Sequence, residues 1–146
     1  MKTLFASLLL LAVVIAPTQT SDNKKDIVKK TATFTGKVTG FEVGDYVHVK
    51  IRNTKGADLS YFIGGGFGLD YFMAAHANKT GTFTVQFVSS YIPEAGGRED
   101  IERISNAQFG KVTFRTWMRD QRKKMTNKQI SDKYEPLIQK LCAGPR

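Results

Sequence analysis

The chain has 146 residues, 41% of them hydrophobic and 24% charged, which excludes a disordered polymer and fits one domain with a modest single core. A net charge of +9, from 22 Lys and Arg against 13 Asp and Glu, favours acidic partners over basic ones. The single cysteine, Cys142, excludes an internal disulfide, so the core has to hold the fold unaided.

The start of the chain reads as an export signal over residues 1–18. Met1-Lys2 is a short cationic head, and the apolar run from Leu4 to Ala16 is shorter than the roughly 20 residues of a spanning helix. Pro17 disfavours processing directly after Ala16, and the small residues that follow place cleavage near residues 18–20. No cysteine lies beside that site, so no lipoprotein anchor is expected, and no transmembrane segment would remain after cleavage. The expected location is periplasmic or extracellular, and residues 19–31 read as a polar N-terminal arm.

Residues 32–106 carry the sheet signals. Thr33 to Phe41 alternates Phe34, Gly36, Val38 and Gly40 against Thr33, Thr35, Lys37 and Thr39. Tyr46 to Asn53 sets Val47, Val49 and Ile51 on one face and Tyr46, His48, Lys50 and Arg52 on the other. A two-residue period with one apolar face predicts half-buried strands. Leu59 to Ile63 predicts a third strand, and the run Gly64–Gly68 predicts a flexible loop. That run lacks the Gly-Lys-Ser/Thr ending of a phosphate loop, so a nucleotide site is not read there.

Leu69 to Asn78 has apolar residues at helical spacing, stopped by Asn78-Lys-Thr-Gly81. Thr82 to Ile92 returns to period two, Pro93 to Gly97 is a turn, and Glu99 to Ile104 is the last strand expected. Ile101 and Ile104 would need a bulge to share a face. The resulting order, β-β-β-α-β-β, predicts a mainly β fold with α: a five-stranded OB-like Greek-key barrel.

Beyond it, residues 107–146 read as a basic C-terminal extension of two helices. Residues 111–146 hold ten Lys and Arg against three Asp and Glu. Val112, Phe114, Trp117, Met118, Gln121 and Met125 approximate an apolar stripe, and Arg115, Arg119, Arg122, Lys123 and Lys124 make the rest of the helix basic. Thr126 and Gln129 fit a capping box that opens the second helix, which Pro136 is expected to kink or split.

Gly36-Lys-Val38, Gly44-Asp-Tyr-Val-His-Val49, Ala75-His76, Tyr91-Ile-Pro-Glu-Ala-Gly-Gly97 and Ile101-Glu-Arg103 together resemble small exported bacterial proteins with OB-like barrels, most of unassigned function. The resemblance covers Thr33 to about Ile104 and implies a fold only. It brings no functional residues.

Chemistry-bearing motifs are sparse. Two histidines, His48 and His76, and one remote cysteine do not make a zinc set, so no metal site and no cofactor are expected. His76 reads as a satisfied helix residue. Binding is expected on the outer face of the second strand, where Tyr46, His48, Lys50 and Arg52 project, with Tyr61 from the third strand joining them. The basic helix of Arg115, Arg119, Arg122, Lys123 and Lys124 is the second candidate surface.

The function expected is an exported, non-catalytic binding or interaction module for an anionic ligand or polymer. Extracellular DNA, an anionic glycan, a lipid head group or an acidic protein fits that chemistry, whereas intracellular nucleic acid does not fit the location. The alternative is a secreted metal-dependent hydrolase such as a nuclease, with Glu94, Glu99, Asp100 and Glu102 supplying carboxylates.

Overall fold

In the computed structural model residues 24–142 are described; the expected signal and cleavage site, and residues 143–146, lie outside the described residues. Among the described residues the chain is mainly β with three α-helices. Strands β1 (Ile27–Val43), β2 (Val47–Asn53) and β3 (Asp58–Ile63) form a meander, followed by helix α1 (Leu69–Ala75). Strands β4 (Thr80–Ile92), β5 (Gly97–Phe109) and the two-residue β6 (Val112–Thr113) come next, then helices α2 (Phe114–Arg122) and α3 (Asn127–Cys142).

The strands lie in the order β3-β2-β1-β4-β5-β6, and these neighbours pair antiparallel. A parallel pairing of Phe62 and Ile63 with Arg103 and Ile104 joins β3 to β5, so hydrogen bonding runs round a ring, β1-β2-β3-β5-β4. The sequence predicts five strands; the sixth is β6, which folds back on the end of β5 through Phe109 and Val112. Strand β1 also begins at Ile27, so residues 27–31, expected in a loose arm, are paired with β4. Polar composition concealed this. Side chains hold the entry: Ser90 donates to Asp26 at 2.7 Å, and Arg103 pairs with the other oxygen of the same carboxylate.

Bulges let these strands curve. Thr39 is the extra residue between Val38, opposite Ile51, and Gly40, opposite Lys50. The alternation therefore shifts there, and Phe41 turns inward with Val38. A second bulge, at Ser105, separates Ile104 from Asn106. Ile101 and Ile104 have no bulge between them and so face opposite sides; Ile104 is fully buried and Ile101 is not.

The core lies inside the ring and under the helices. Val38, Val49, Ile51, Phe83 and Ile104 fill it from the strands, and Leu69, Phe72 and Met73 close it from α1. Phe72 is the hub: its ring lies 5.3 Å from Phe109, 5.9 Å from Phe114 and 5.4 Å from Trp117, centroid to centroid. The apolar residues of α2 are thus committed to the core. Trp117 also meets Tyr134 of α3 at 5.1 Å.

The basic residues beyond β6 fall on two helices, with the break where the capping box at Thr126 puts it. Helix α2 stops at Arg122, and Thr126 and Gln129 exchange side-chain to backbone bonds of 2.8 and 3.3 Å that open α3. Helix α3 runs through Pro136 as one element, anchored by buried Ile130, Tyr134 and Ile138 on either side of it. Among the described residues no helix is long and apolar enough to cross a membrane.

Candidate functional site

The outer face of β2 carries His48, Lys50 and Arg52, with Tyr46 in the preceding turn. The ladder to β3 sets His48 opposite Phe62, Lys50 opposite Ser60 and Arg52 opposite Asp58. Tyr61 is opposite Val49 and therefore points to the interior, where it is 9% exposed and its ring packs 5.6 Å from Phe34. The expectation that Tyr61 joins the outer face is corrected. Phe62 stands there instead, its ring 4.1 Å from His48 and 5.9 Å from Tyr46.

The cations of this face are already matched. Arg52 makes a two-pronged pair with Asp58 at 2.8 and 2.9 Å, and Lys50 lies 3.5 Å from Glu42. The Asp58 carboxyl is held below its usual range, first by the hydrogen bond from Arg52. Tyr46 donates to Glu94 at 3.3 Å, and the charge of Glu94 pushes its phenol up. Opposite charges across a ladder stabilise strand pairing. They leave little net field for a ligand.

A different surface gathers more cations than nearby acids can match. Between the glycine-rich loop and α2 lies an open cleft of about 1140 Å³. Gly65, Gly66 and Phe67 form one wall, Ser105 and Asn106 of β5 the floor, and Phe114, Arg115, Met118, Arg119, Arg122 and Lys123 the other wall. Four cations and no carboxylate line it. The nearest acid on α2 is Asp120, exposed, 3.4 Å from Arg119 and 3.6 Å from Lys123. Arg122 donates to the neutral Asn127 at 3.3 Å, and among the described residues Arg115 makes no ion pair. Lys124, expected with this group, lies past the end of α2 and outside the cleft.

The local sequence explains why α2 stands where it does. Thr113 accepts from the Thr116 amide at 3.2 Å and Thr116 reciprocates, a capping box that fixes the first turn. The helix then sets Phe114, Trp117 and Met118 toward the core and its arginines away from it. Two glycines of the loop stand close against their neighbours. A Cβ on Gly65 would lie 2.6 Å from the Ser105 carbonyl oxygen, and one on Gly68, at φ 90°, would overlap Met118. Glycine is required at both positions. Phe67 stays 40% exposed at the lip.

The remaining candidates settle simply. His76 Nδ1 lies 2.8 Å from the Phe72 carbonyl oxygen and its ring stacks on Phe109 at 4.9 Å, as a structural histidine would. Cys142 is free and partly buried at the end of α3, and burial pushes its thiol up. Asp100 pairs with Lys29 at 2.7 Å. Among the described residues no three His, Cys, Asp or Glu side chains are grouped to hold a metal ion.

Phe67, Ser105 and Asn106 escaped sequence reasoning, because no local pattern links the glycine run to β5 and α2. Phe62 escaped it too, because four of the five residues from Leu59 to Ile63 are apolar and leave the facing of that strand open. Compared with known proteins, the chain matches no family model, no curated protein and no solved structure.

Proposed function

We propose that the chain is an exported, non-catalytic binding module that holds an anionic ligand in the cleft between the glycine-rich loop and α2. The observation that carries this reading is the charge asymmetry of the cleft, lined by Arg115, Arg119, Arg122 and Lys123 without a carboxylate. Guanidinium groups meet phosphate, sulfate or carboxylate through paired N–H donors. The exposed ring of Phe67 adds a surface on which a sugar or base stacks. The cleft is open and exceeds the roughly 300–1,000 Å³ of small-molecule sites, which favours a stretch of anionic polymer, a glycan or extracellular DNA. The apolar leader supports the exported setting.

We read the strand ring as an OB-like Greek-key barrel, from the order β1-β2-β3-β5-β4 and a helix between β3 and β4, with β6, α2 and α3 appended. Ligands of such barrels usually sit on the face of the second and third strands. Here the ion pairs on that face favour the cleft beside β5 instead.

Amide chemical shifts test the reading. A heparin-like oligosaccharide and a short single-stranded DNA, each at low salt, should move the amides of Ser105, Asn106, Arg115 and Arg119. Those of His48 to Arg52 should stay in place. Shifts confined to His48–Arg52, or none with either probe, would reject the cleft.

A further inference from the structure

On the far side of the glycine loop from the cationic cleft lies a second, smaller cavity of about 350 Å³. Four aromatic side chains line it, Tyr46, Phe62, Phe67 and Tyr71, together with the carboxylates of Asp45 and Asp70. The rings form two nearly perpendicular pairs. Tyr46 and Phe62 meet at 75° and 5.9 Å, and Phe67 and Tyr71 at 80° and 5.7 Å. No Lys, Arg or His lines this cavity, in a chain whose net charge is +9.

Asp70 is the telling member. It is partly buried, accepts a hydrogen bond from the Tyr71 amide at 2.9 Å, and makes no ion pair among the described residues. Desolvation accordingly pushes its carboxyl up. Glu94, bonded to the Tyr46 hydroxyl, adds a further negative charge at the rim. An anion that has lost water and gained no cation is unfavourable unless something else supplies the positive charge.

We propose that this pocket binds a small organic cation of the trimethylammonium class, a choline-type head group. A hydrated metal ion gains little from rings, whereas four aromatic side chains around two carboxylates suit a cation with an apolar surface. A quaternary ammonium is weakly hydrated and donates no hydrogen bond, so it leaves water easily and is drawn to the faces of aromatic rings. Asp45 and Asp70 complement its charge at longer range. The volume lies at the low end for small-molecule sites, about 300–1,000 Å³, and suits a head group rather than a polymer. The pocket shares Gly66 and Phe67 with the anion cleft, but Tyr46 and Asp70 line the pocket alone, so their variants separate the two sites.

The probe is choline chloride, titrated into labelled protein at constant ionic strength, with 3,3-dimethylbutanol as the neutral isostere. Choline should give saturable shifts at Tyr46, Phe67 and Tyr71, and the isostere should give none. Tyr46→Ala and Asp70→Asn should each weaken choline binding at least about fivefold while the fold, checked by thermal melting, is kept. Co-sedimentation with phosphatidylcholine vesicles, competed by choline, would make a lipid head group the source; saturable choline shifts without it make the source a free solute. Equal binding of the isostere, affinity unchanged in both variants, or linear shifts matching those of NaCl would overturn the site.

Discussion

The β2–β3 face and the α2 cleft hold the same kinds of cation in opposite electrostatic settings. On the strand face each cation stands near an acid: Arg52 with Asp58 and Lys50 with Glu42. Along the cleft, Arg119 and Lys123 share one acid, Asp120, which is not part of the lining, and Arg115 and Arg122 make no ion pair among the described residues. The pleat brings residues from two strands into register, so the sequence can match charges directly across it. A helix docked by its apolar side leaves its polar side facing open space, and matching acids have to be supplied from elsewhere. The lesson is that a count of basic residues on a surface says little until their partners are known.

The largest effect should come from removing the seat of α2. Phe72→Ala empties the point where Phe109, Phe114 and Trp117 meet and should cost about 3–5 kcal/mol in urea-monitored unfolding. Any folded fraction should lose cleft binding before the strand face loses its ion pairs. A cost below about 1 kcal/mol would show that α2 is held by something other than this cluster.

A second, smaller contrast is between two aspartates with opposite pH signatures. Asp26 is held below its ordinary value of 3.8, first by the hydrogen bond from Ser90 and also by Arg103. Its contribution is present above the ordinary aspartate range and is lost as the pH falls through its lowered folded value. Asp70 is pushed above the same value by desolvation, with Glu135 adding to it. A raised folded value means that the native state holds the proton more tightly. The stability that Asp70 contributes is therefore full at low pH and is lost as the pH rises through that folded value. Asp70→Asn, which keeps the oxygen that accepts from Tyr71, should raise the melting temperature at neutral pH and flatten its fall as the pH rises above the ordinary aspartate value. Asp26→Asn should lower the melting temperature at neutral pH. The same sign for both substitutions would contradict the contrast between a paired and an unpaired carboxylate.

Much of the fold was legible because period two is a strong signal: Val47, Val49 and Ile51 gave the inner face of β2 correctly. It failed where a bulge or a parity intervened. Thr39 shifts β1 by one residue, so Phe41 rather than Gly40 supplies the inward ring, and no residue type announces that slip. Leu59 to Ile63 contains four apolar residues in five, which leaves its facing open; only the ladder, with Tyr61 opposite Val49, sends Tyr61 inward and Phe62 outward. The glycine run shows the other limit. Composition alone reads as flexibility, whereas Gly65 and Gly68 are small so that Ser105 and Met118 can approach. Half of the cleft, the basic helix, was readable. The half that makes it a cleft depends on contacts across some 40 to 50 residues of chain.

The central claim is that the cleft, where cations outnumber the acids beside them, binds an anionic polymer, and the strand face, where they are matched one to one, does not. It is tested most directly by the salt dependence of heparin-oligosaccharide binding in three proteins: wild type, Arg115→Ser/Arg119→Ser/Arg122→Ser, and Lys50→Ala/Arg52→Ala. Binding that releases counterions falls linearly in log affinity against log salt, with a slope set by the number of contacts. The cleft variant should lose most of both the affinity and the slope, while the strand variant keeps the slope of the wild type. Loss of slope in the strand variant, with the cleft variant unchanged, would contradict the account.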